Sequence, residues 1–405
     1  MTLTAESTTH TTAAEVSTEE FVARAAALVP LLQKNSKQTE DDRRVVEENI
    51  EAIREAGLYR LMVPRRFGGR QADFTTFLQV SSELARGDGS TAWVSTLMNV
   101  CSWLAGLYPE QAQRDIFEND PDARICGVVA PTATTTYAEG GQTVTGKWGF
   151  ASGSAHSQWA MVGIPVVDES GEVIDQGLAL IPMSELGIED TWYVAGMRGT
   201  ASNTLVAEEV FVPSHRILSV PAAVGGNYAT EHTDEALYRS AFVPVLALVL
   251  VGAQVGLAKQ AMEIVKESLA KGRGINYTFY DKSSLAPTTQ LQVSAASQLI
   301  DSAELHMLRA AADIDDAAAS GEYMEFLNRA RVRADVGTVA HRCREAVDLL
   351  LNVHGAGSFA EGNPLQRVWR DLETCGRHAV VNPEISSELY GRALRGVEEQ
   401  ITALI

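Results

Sequence analysis

The run Leu205-Val206-Ala207-Glu208-Glu209-Val210-Phe211-Val212-Pro213 reads as a β-strand with an irregular centre, closed by a proline that cannot continue a ladder. Working outward, further short β-branched runs cut by turns lie at 142–145, 159–165 and 177–182, so residues 123–219 are expected to form a compact β-domain. On its N-terminal side the spacing is helical. Phe21, Ala25, Leu28 and Leu32 recur every three or four residues and Val46, Ile50 and Ile53 repeat the pattern, which predicts an α-helical domain over 18–122. Its internal break, Val63-Pro64-Arg65-Arg66-Phe67-Gly68-Gly69, carries the proline and glycine pair that end one helix and start a loop. On the C-terminal side Ala261, Ile264, Val265 and Leu269, then Ile300, Ala303, Met307, Ala310 and Ile314, predict long amphipathic helices in a bundle over 220–405. Residues 271–289, with two glycines, a proline and several Ser and Thr, interrupt that bundle as a surface or interface loop.

The formal charge of -19 repels phosphate backbones and anionic lipid, so nucleic-acid and membrane-surface roles are disfavoured and an anionic cofactor would need a local basic spot. Cys101, Cys126, Cys343 and Cys375 are scattered without a C-x-x-C pair, as expected of free thiols in a reducing, cytoplasmic setting with no metal site. Residues 1–17, rich in Ser and Thr and lacking a basic start and an apolar stretch, read as a disordered tail rather than a signal peptide or anchor. The most apolar run, 241–257, is shorter than the ~20 residues of a membrane span and contains Pro244, Gly252, Gln254 and Gly256, so it reads as a buried core helix.

The order of helices, β-domain and helical bundle does not name a reaction. The motifs do more. Glu55-Ala56-Gly57-Leu58, Val63-Pro64 and Phe67-Gly68-Gly69, followed by Ala85-Arg86-Gly87-Asp88-Gly89-Ser90-Thr91-Ala92-Trp93, resemble the N-terminal domain of the acyl-CoA dehydrogenase superfamily. Trp148-Gly149-Phe150-Ala151-Ser152-Gly153-Ser154-Ala155-His156, Asp190-Thr191-Trp192-Tyr193 and Gly196-Met197-Arg198-Gly199-Thr200-Ala201-Ser202-Asn203-Thr204 extend the likeness. So does His354-Gly355-Ala356-Gly357 with Pro364-Leu365-Gln366-Arg367-Val368-Trp369-Arg370-Asp371. Together they are similar to the flavin monooxygenase branch of this acyl-CoA dehydrogenase-like fold, the oxygenase components that hydroxylate 4-hydroxyphenylacetate or a phenolic secosteroid. The likeness covers about residues 20–395 and rests on the order and spacing of the motifs.

The resemblance implies a binding site for reduced FAD or FMN, with FADH2 slightly preferred, and O2 as co-substrate. Phe150 corresponds to a flavin-backing aromatic and Ser152 to the hydroxyl partner of N5, where a hydroxyl suits the N5 hydrogen that a C4a-hydroperoxyflavin must keep. Val129 corresponds to a main-chain contact at the ring edge. Arg198 and Arg273 are candidate phosphate ligands, arginine being suited to bidentate phosphate contact. Gly355-Ala356-Gly357 offers unencumbered N–H groups, and in relatives this loop serves the flavin of a neighbouring subunit, which implies a homotetramer. A separate NAD(P)H-dependent flavin reductase, delivering flavin by diffusion, is the implied partner.

For the chemistry, His378 falls where the hydroxylase branch carries its catalytic histidine, and an imidazole near neutral pKa can assist oxygen transfer. An acyl-CoA dehydrogenase would need a carboxylate base there; 377–383 holds none, although Glu384 lies just beyond. Cys101, Trp103 and His156 are expected at the substrate pocket. Cys101 stands where phenol hydroxylases of the branch carry a histidine, and a thiol is a poor phenolate partner, which favours an apolar or indole-type aromatic and brings the xiamycin-type indole oxygenases into the resemblance. The alternatives are N-oxygenation of an amine or amino sugar, as in nitrososynthases of this fold, and acyl-CoA dehydrogenation.

Overall fold

The computed structural model describes residues 16–397 and 399–405; all but the last two positions of the expected tail lie outside the described residues. Ser17 accepts the N–H of Glu20 at 3.3 Å and so caps helix α1 (Thr18–Asp41), whose first turn carries Glu19 and Glu20 against the positive end of the dipole. Then come α2 (Glu47–Glu55), α3 (Phe74–Ala85), α4 (Gly89–Ala105) and α5 (Glu110–Phe117). The expected break at 63–69 forms a tight 3-10 turn, where Gly68 takes φ 84° and a Cβ on Gly69 would lie 1.8 Å from the Val63 carbonyl oxygen.

Eight strands follow: β1 (Ile125–Val128), β2 (Ala133–Ala138), β3 (Gly141–Ala151), β4 (Trp159–Val167), β5 (Val173–Pro182), β6 (Gly187–Glu189), β7 (Asn203–Pro213) and β8 (Ile217–Ser219). They form two four-stranded sheets in the orders β1-β4-β5-β8 and β2-β3-β7-β6, with β1 parallel to β4. The sheets bury a core of their own around Cys126, Val144, Trp148, Val162 and Leu205, where Trp148 Nε1 donates to the Gly163 carbonyl at 2.8 Å. The irregular centre expected in 205–213 is a β-bulge. Pairing with β3 passes from Val144–Val210 to Gly146–Ala207, so Glu208 and Glu209 oppose Thr145 alone, and Glu209 adopts φ 51°.

The remaining helices are α6 (Val220–Val224), α7 (Phe242–Ala270), α8 (Pro287–Ser320), α9 (Phe326–His354), α10 (Pro364–Cys375) and α11 (Pro383–Leu394). The apolar run expected to be a core helix is the first half of α7, which is long and apolar enough to cross a membrane but is mostly buried inside protein. Its glycines permit close helix contact. A Cβ on Gly256 would lie 2.0 Å from the Ser82 carbonyl oxygen of α3, and one on Gly252 would lie 2.7 Å from Ser81 Oγ. Phe74, Phe77 and Leu78 of α3, Trp103 of α4, and Phe242, Leu248 and Val255 of α7 therefore share one continuous core, and the N-terminal helices and the C-terminal bundle are welded together. The loop between α7 and α8 is exposed and presents Tyr277 and Phe279 fully to solvent.

Trp103, expected at the substrate pocket, sits in the core shared by α3, α4 and α7. It is fully buried, donates Nε1–H to the Leu237 carbonyl at 2.9 Å, and packs edge-on against Phe74 (5.9 Å) and tilted against Phe242 (6.4 Å). Two residues along a helix turn a side chain by about 200°, so Trp103 and Cys101 face opposite ways. Trp103→Ala is expected to lower stability by about 3–5 kcal/mol, as for other buried large-to-small changes, read as a lower urea midpoint.

Candidate active site

Four segments converge on one point: the N-terminal half of α4, the end of β3, the loop 194–202 before β7, and the turn that follows α10. Asp88 caps α4, accepting the N–H of Thr91 at 2.8 Å and its hydroxyl at 2.7 Å, and this sets Trp93 one turn later. At the end of β3 the register with β7 breaks between Trp148 and Ala151, and Phe150 takes φ 65° and Gly153 φ 77°. A Cβ on Gly153 would come within 2.9 Å of Met98 Cε and 3.0 Å of Val94 Cγ1, so the tip of this strand sits directly on α4. Trp93 Nε1 then donates to Ser152 Oγ at 3.3 Å, and the Trp93 ring lies 6.3 Å from the ring of His378. Trp93 thus joins the two residues predicted to carry the chemistry, which are 226 positions apart in the chain (378 minus 152).

The loop 194–202 is wedged between helices. A Cβ on Gly196 would lie 2.0 Å from the Arg370 carbonyl oxygen, and one on Gly199 would lie 2.2 Å from Thr39 Cγ2. Met197 and Ala201 take φ of 55° and 45°, a region where side chains cost energy, and the Met197 N–H donates to the buried carboxylate of Asp371. Arg370 anchors the same corner through Glu40 (2.5 Å) and the Ala195 carbonyl. Held this way, the loop places Thr200 and Ser202 so that Ser202 Oγ lies 2.7 Å from both Thr200 Oγ1 and Ser152 Oγ.

Asp371 is pushed up to about 7, by burial first and then by the neighbouring Asp88 carboxylate, while the Met197 N–H opposes the shift. Burial also raises Asp88. His378 is open to solvent on one side and crowded by protein on the other, and the crowding lowers its imidazole below the usual range. Its Nδ1 accepts the Val380 N–H at 3.3 Å, so the neutral ring carries its proton on Nε2.

The other expected residues divide. Cys101 is buried, with its thiol raised by desolvation, and faces β1: a Cβ on Gly127 would lie 2.8 Å from its sulfur. Val129 follows β1 directly, its carbonyl oxygen packed where a Cβ on Gly163 would lie 2.1 Å away. Phe150 stands 75% exposed, edge-on to Trp192 at 5.7 Å. His156 is buried with its ring occupied by Arg44 (Nε to Nε2 3.2 Å), while Arg124 Nε donates to its carbonyl at 2.7 Å. Burial and then the Arg44 charge push its imidazole down to about 4, so it is neutral and braces the turn after β3. Arg198 makes only long contacts, at 3.4 Å, to the Glu40 and Val194 carbonyls. Arg273 lies in the exposed loop after α7, and Gly355, Ala356 and Gly357 form an exposed turn after α9 in which Gly355 takes φ 80°. Among the described residues, no hydrogen bond or ring contact ties these last four to Ser152, Trp93 or His378. Trp93, Thr200, Ser202 and Asp371 lie inside the sequence motifs, but only their hydrogen bonds reveal their part in the site.

A helical domain, a β-domain and a helical bundle meeting at such a site define an acyl-CoA dehydrogenase-type flavoprotein. Residues 13–117 match the family "Acyl-CoA dehydrogenase, N-terminal domain" and residues 248–383 "Acyl-CoA dehydrogenase, C-terminal domain". Within that fold the chain belongs to the oxygenase components of flavin-dependent monooxygenases. It is 35% identical to the oxygenase subunit HsaA of Rhodococcus jostii (strain RHA1), across 91% of this chain and 96% of that protein. To the oxygenase component of the FADH2-dependent resorcinol hydroxylase of Rhizobium sp. (strain MTP-10005) it is 32% identical, across 93% and 94%. The solved structure of XiaF from Streptomyces sp. in complex with FADH2 and glycerol superposes with a TM-score of 0.90 at 32% identity, across 95% of this chain and 97% of that one.

Asp371 yields a pH prediction. Its folded-state pKa, near 7, lies above the ordinary carboxylate value of 3.8, so between those values the folded protein holds the proton that the unfolded chain has released, and its contribution to stability falls as pH rises. Asp371→Asn keeps an oxygen for the Met197 N–H and removes the titration. Denaturation midpoints between about pH 4 and 7 are expected to fall less steeply with rising pH in the variant than in the wild type.

Proposed function

We propose that this monooxygenase hydroxylates an electron-rich aromatic ring of indole or phenol type, with Ser152 as the partner of flavin N5 and His378 as the proton-holding group at the oxygen-transfer point. The observation that carries the reading is the Trp93 bridge: one indole ring donates to the Ser152 hydroxyl and packs beside His378. Reduced flavin, when bound, supplies the two electrons with which one atom of O2 enters the ring and the other leaves as water. The residues fit it. Ser152 keeps a lone pair beyond its bond from Trp93, and Phe150 with Trp192 offers an exposed aromatic ledge at the end of β3. The Nε2–H of neutral His378 can donate toward a developing negative oxygen. Val129 contributes main chain just past the end of β1, two residues beyond Gly127, which Cys101 faces. The neutral, buried Cys101 makes a wall without an ionic partner for a phenolate, which favours an indole-type substrate over a simple phenol.

Arg198 and Arg273 supply phosphate charge in an acidic chain, and the exposed Gly355-Ala356-Gly357 turn suits a flavin held by a neighbouring subunit, as in a homotetramer. A separate NAD(P)H-dependent reductase in the cytoplasm delivers FADH2 or FMNH2 by diffusion. Against acyl-CoA dehydrogenation, Glu384 is exposed in the first turn of α11.

The test is product analysis with a flavin reductase, NADH and FAD, offering indole and a simple phenol in parallel. Hydroxylated indole is expected to exceed hydroxylated phenol. His378→Ala is expected to lower turnover about 10²-fold or more while reduced flavin still binds. Wild-type turnover in that variant would remove His378 from the chemistry.

A further inference from the structure

The buried hydroxyls behind Ser152 form a chain whose proton order can be read without seeing a hydrogen. Thr200 Oγ1 lies 2.8 Å from the Met197 carbonyl oxygen. A carbonyl only accepts, so the single hydroxyl proton of Thr200 points at Met197. The contact of Thr200 with Ser202 Oγ must then be made by the Ser202 proton, and the contact of Ser202 with Ser152 Oγ by the Ser152 proton. Every member is buried: Thr200 is 1% exposed, Ser202 4% and Ser152 7%, so bulk water has little access to reverse the order. On its other side Ser152 accepts from Trp93 Nε1–H, which has no acceptor capacity to offer in return.

The consequence is chemical. The proton of Ser152 is spent inward, and what remains for a group in the site is one lone pair. Ser152 is an obligate acceptor. The N5 position of a flavin is a hydrogen donor when reduced and an acceptor when oxidised. We propose that Thr200 and Ser202 are positioning residues which, by orienting the Ser152 proton away from the site, make it select reduced over oxidised flavin.

The chain terminates in a carbonyl that is itself held. Met197 O also receives Trp192 Nε1–H at 2.8 Å, and the Met197 N–H is bound to Asp371. The carbonyl therefore cannot easily turn away to release the Thr200 proton. Selection of this kind lets a diffusing reduced flavin be taken up and the spent, oxidised one be let go without a conformational change at N5. The inference rests on the assignment of Ser152 to N5.

The test measures the dissociation constants of FAD and of dithionite-reduced FAD, both without oxygen, for the wild type and for Ser202→Ala, Thr200→Val, Ser202→Thr and Ser152→Ala. The wild type is expected to bind the reduced form more tightly. Ser202→Ala frees the Ser152 hydroxyl to donate outward and is expected to shift the reduced-to-oxidised affinity ratio about tenfold toward oxidised FAD, the usual worth of one hydrogen bond. The midpoint potential of bound flavin would fall by about 30 mV for that tenfold shift in a two-electron couple. Thr200→Val should shift the ratio the same way, and Ser202→Thr, which keeps the hydroxyl, should restore it. A ratio unchanged in Ser202→Ala and Thr200→Val, while Ser152→Ala weakens reduced FAD, overturns the relay and leaves the Ser152 assignment standing. Unchanged affinities in Ser152→Ala overturn both.

Discussion

The Met197 N–H donates to a carboxylate, that of Asp371, which is buried beside a second carboxylate, Asp88. Most of the site depends on this one bond. It holds a loop whose backbone passes through left-handed φ at Met197 and Ala201, each costing about 1–3 kcal/mol unless the surroundings enforce it. Enforcement comes from packing: Gly196 lies against the Arg370 carbonyl and Gly199 against Thr39, places where any side chain would collide with helix α10 or α1. A loop fixed from both sides can present Thr200, Ser202 and the Met197 carbonyl with the accuracy a hydrogen-bonded relay demands.

Burying Asp371 is unfavourable in itself, as its raised pKa records. The carboxylate is tolerated because it meets a donor and because Arg367 and Arg370 stand nearby. Placing two acids and two strained residues around a site is characteristic of pre-organisation, in which stability is given up locally and recovered in the core. Here that core is continuous through α3, α4 and α7, whose glycines at 252 and 256 bring the N-terminal helices hard against the bundle. The active-site helix α4 is therefore buried along nearly its whole length, and Trp93 has little freedom to move away from Ser152 or His378.

Electrostatics of the isolated groups point the same way. His156, squeezed by burial and by Arg44, is held neutral beside the turn that carries Ser152. His378, only partly enclosed, keeps its proton on Nε2 because the Val380 N–H takes Nδ1. Two histidines drawn from similar motif contexts thus meet different electrostatic surroundings.

The layout of helices, strands and helices was legible in the chain, because hydrophobic spacing is a local property and Pro213, Gly68 and the glutamate pair at 208–209 mark their own turns and bulge. The motifs also sufficed to place the chain among flavin monooxygenases and to single out Ser152 and His378. The partners of those residues were not legible. Whether position 101 or 103 of α4 faces β1 depends on which side of the helix meets α7, and the sequence carries no such label. The direction of the Thr200–Ser202–Ser152 chain is settled by a carbonyl three residues before Thr200 and about 45 residues from Ser152, held by an acid on a distant helix. A hydroxyl has no preferred orientation until its neighbours are in place, so only the tertiary structure could decide which way the protons run.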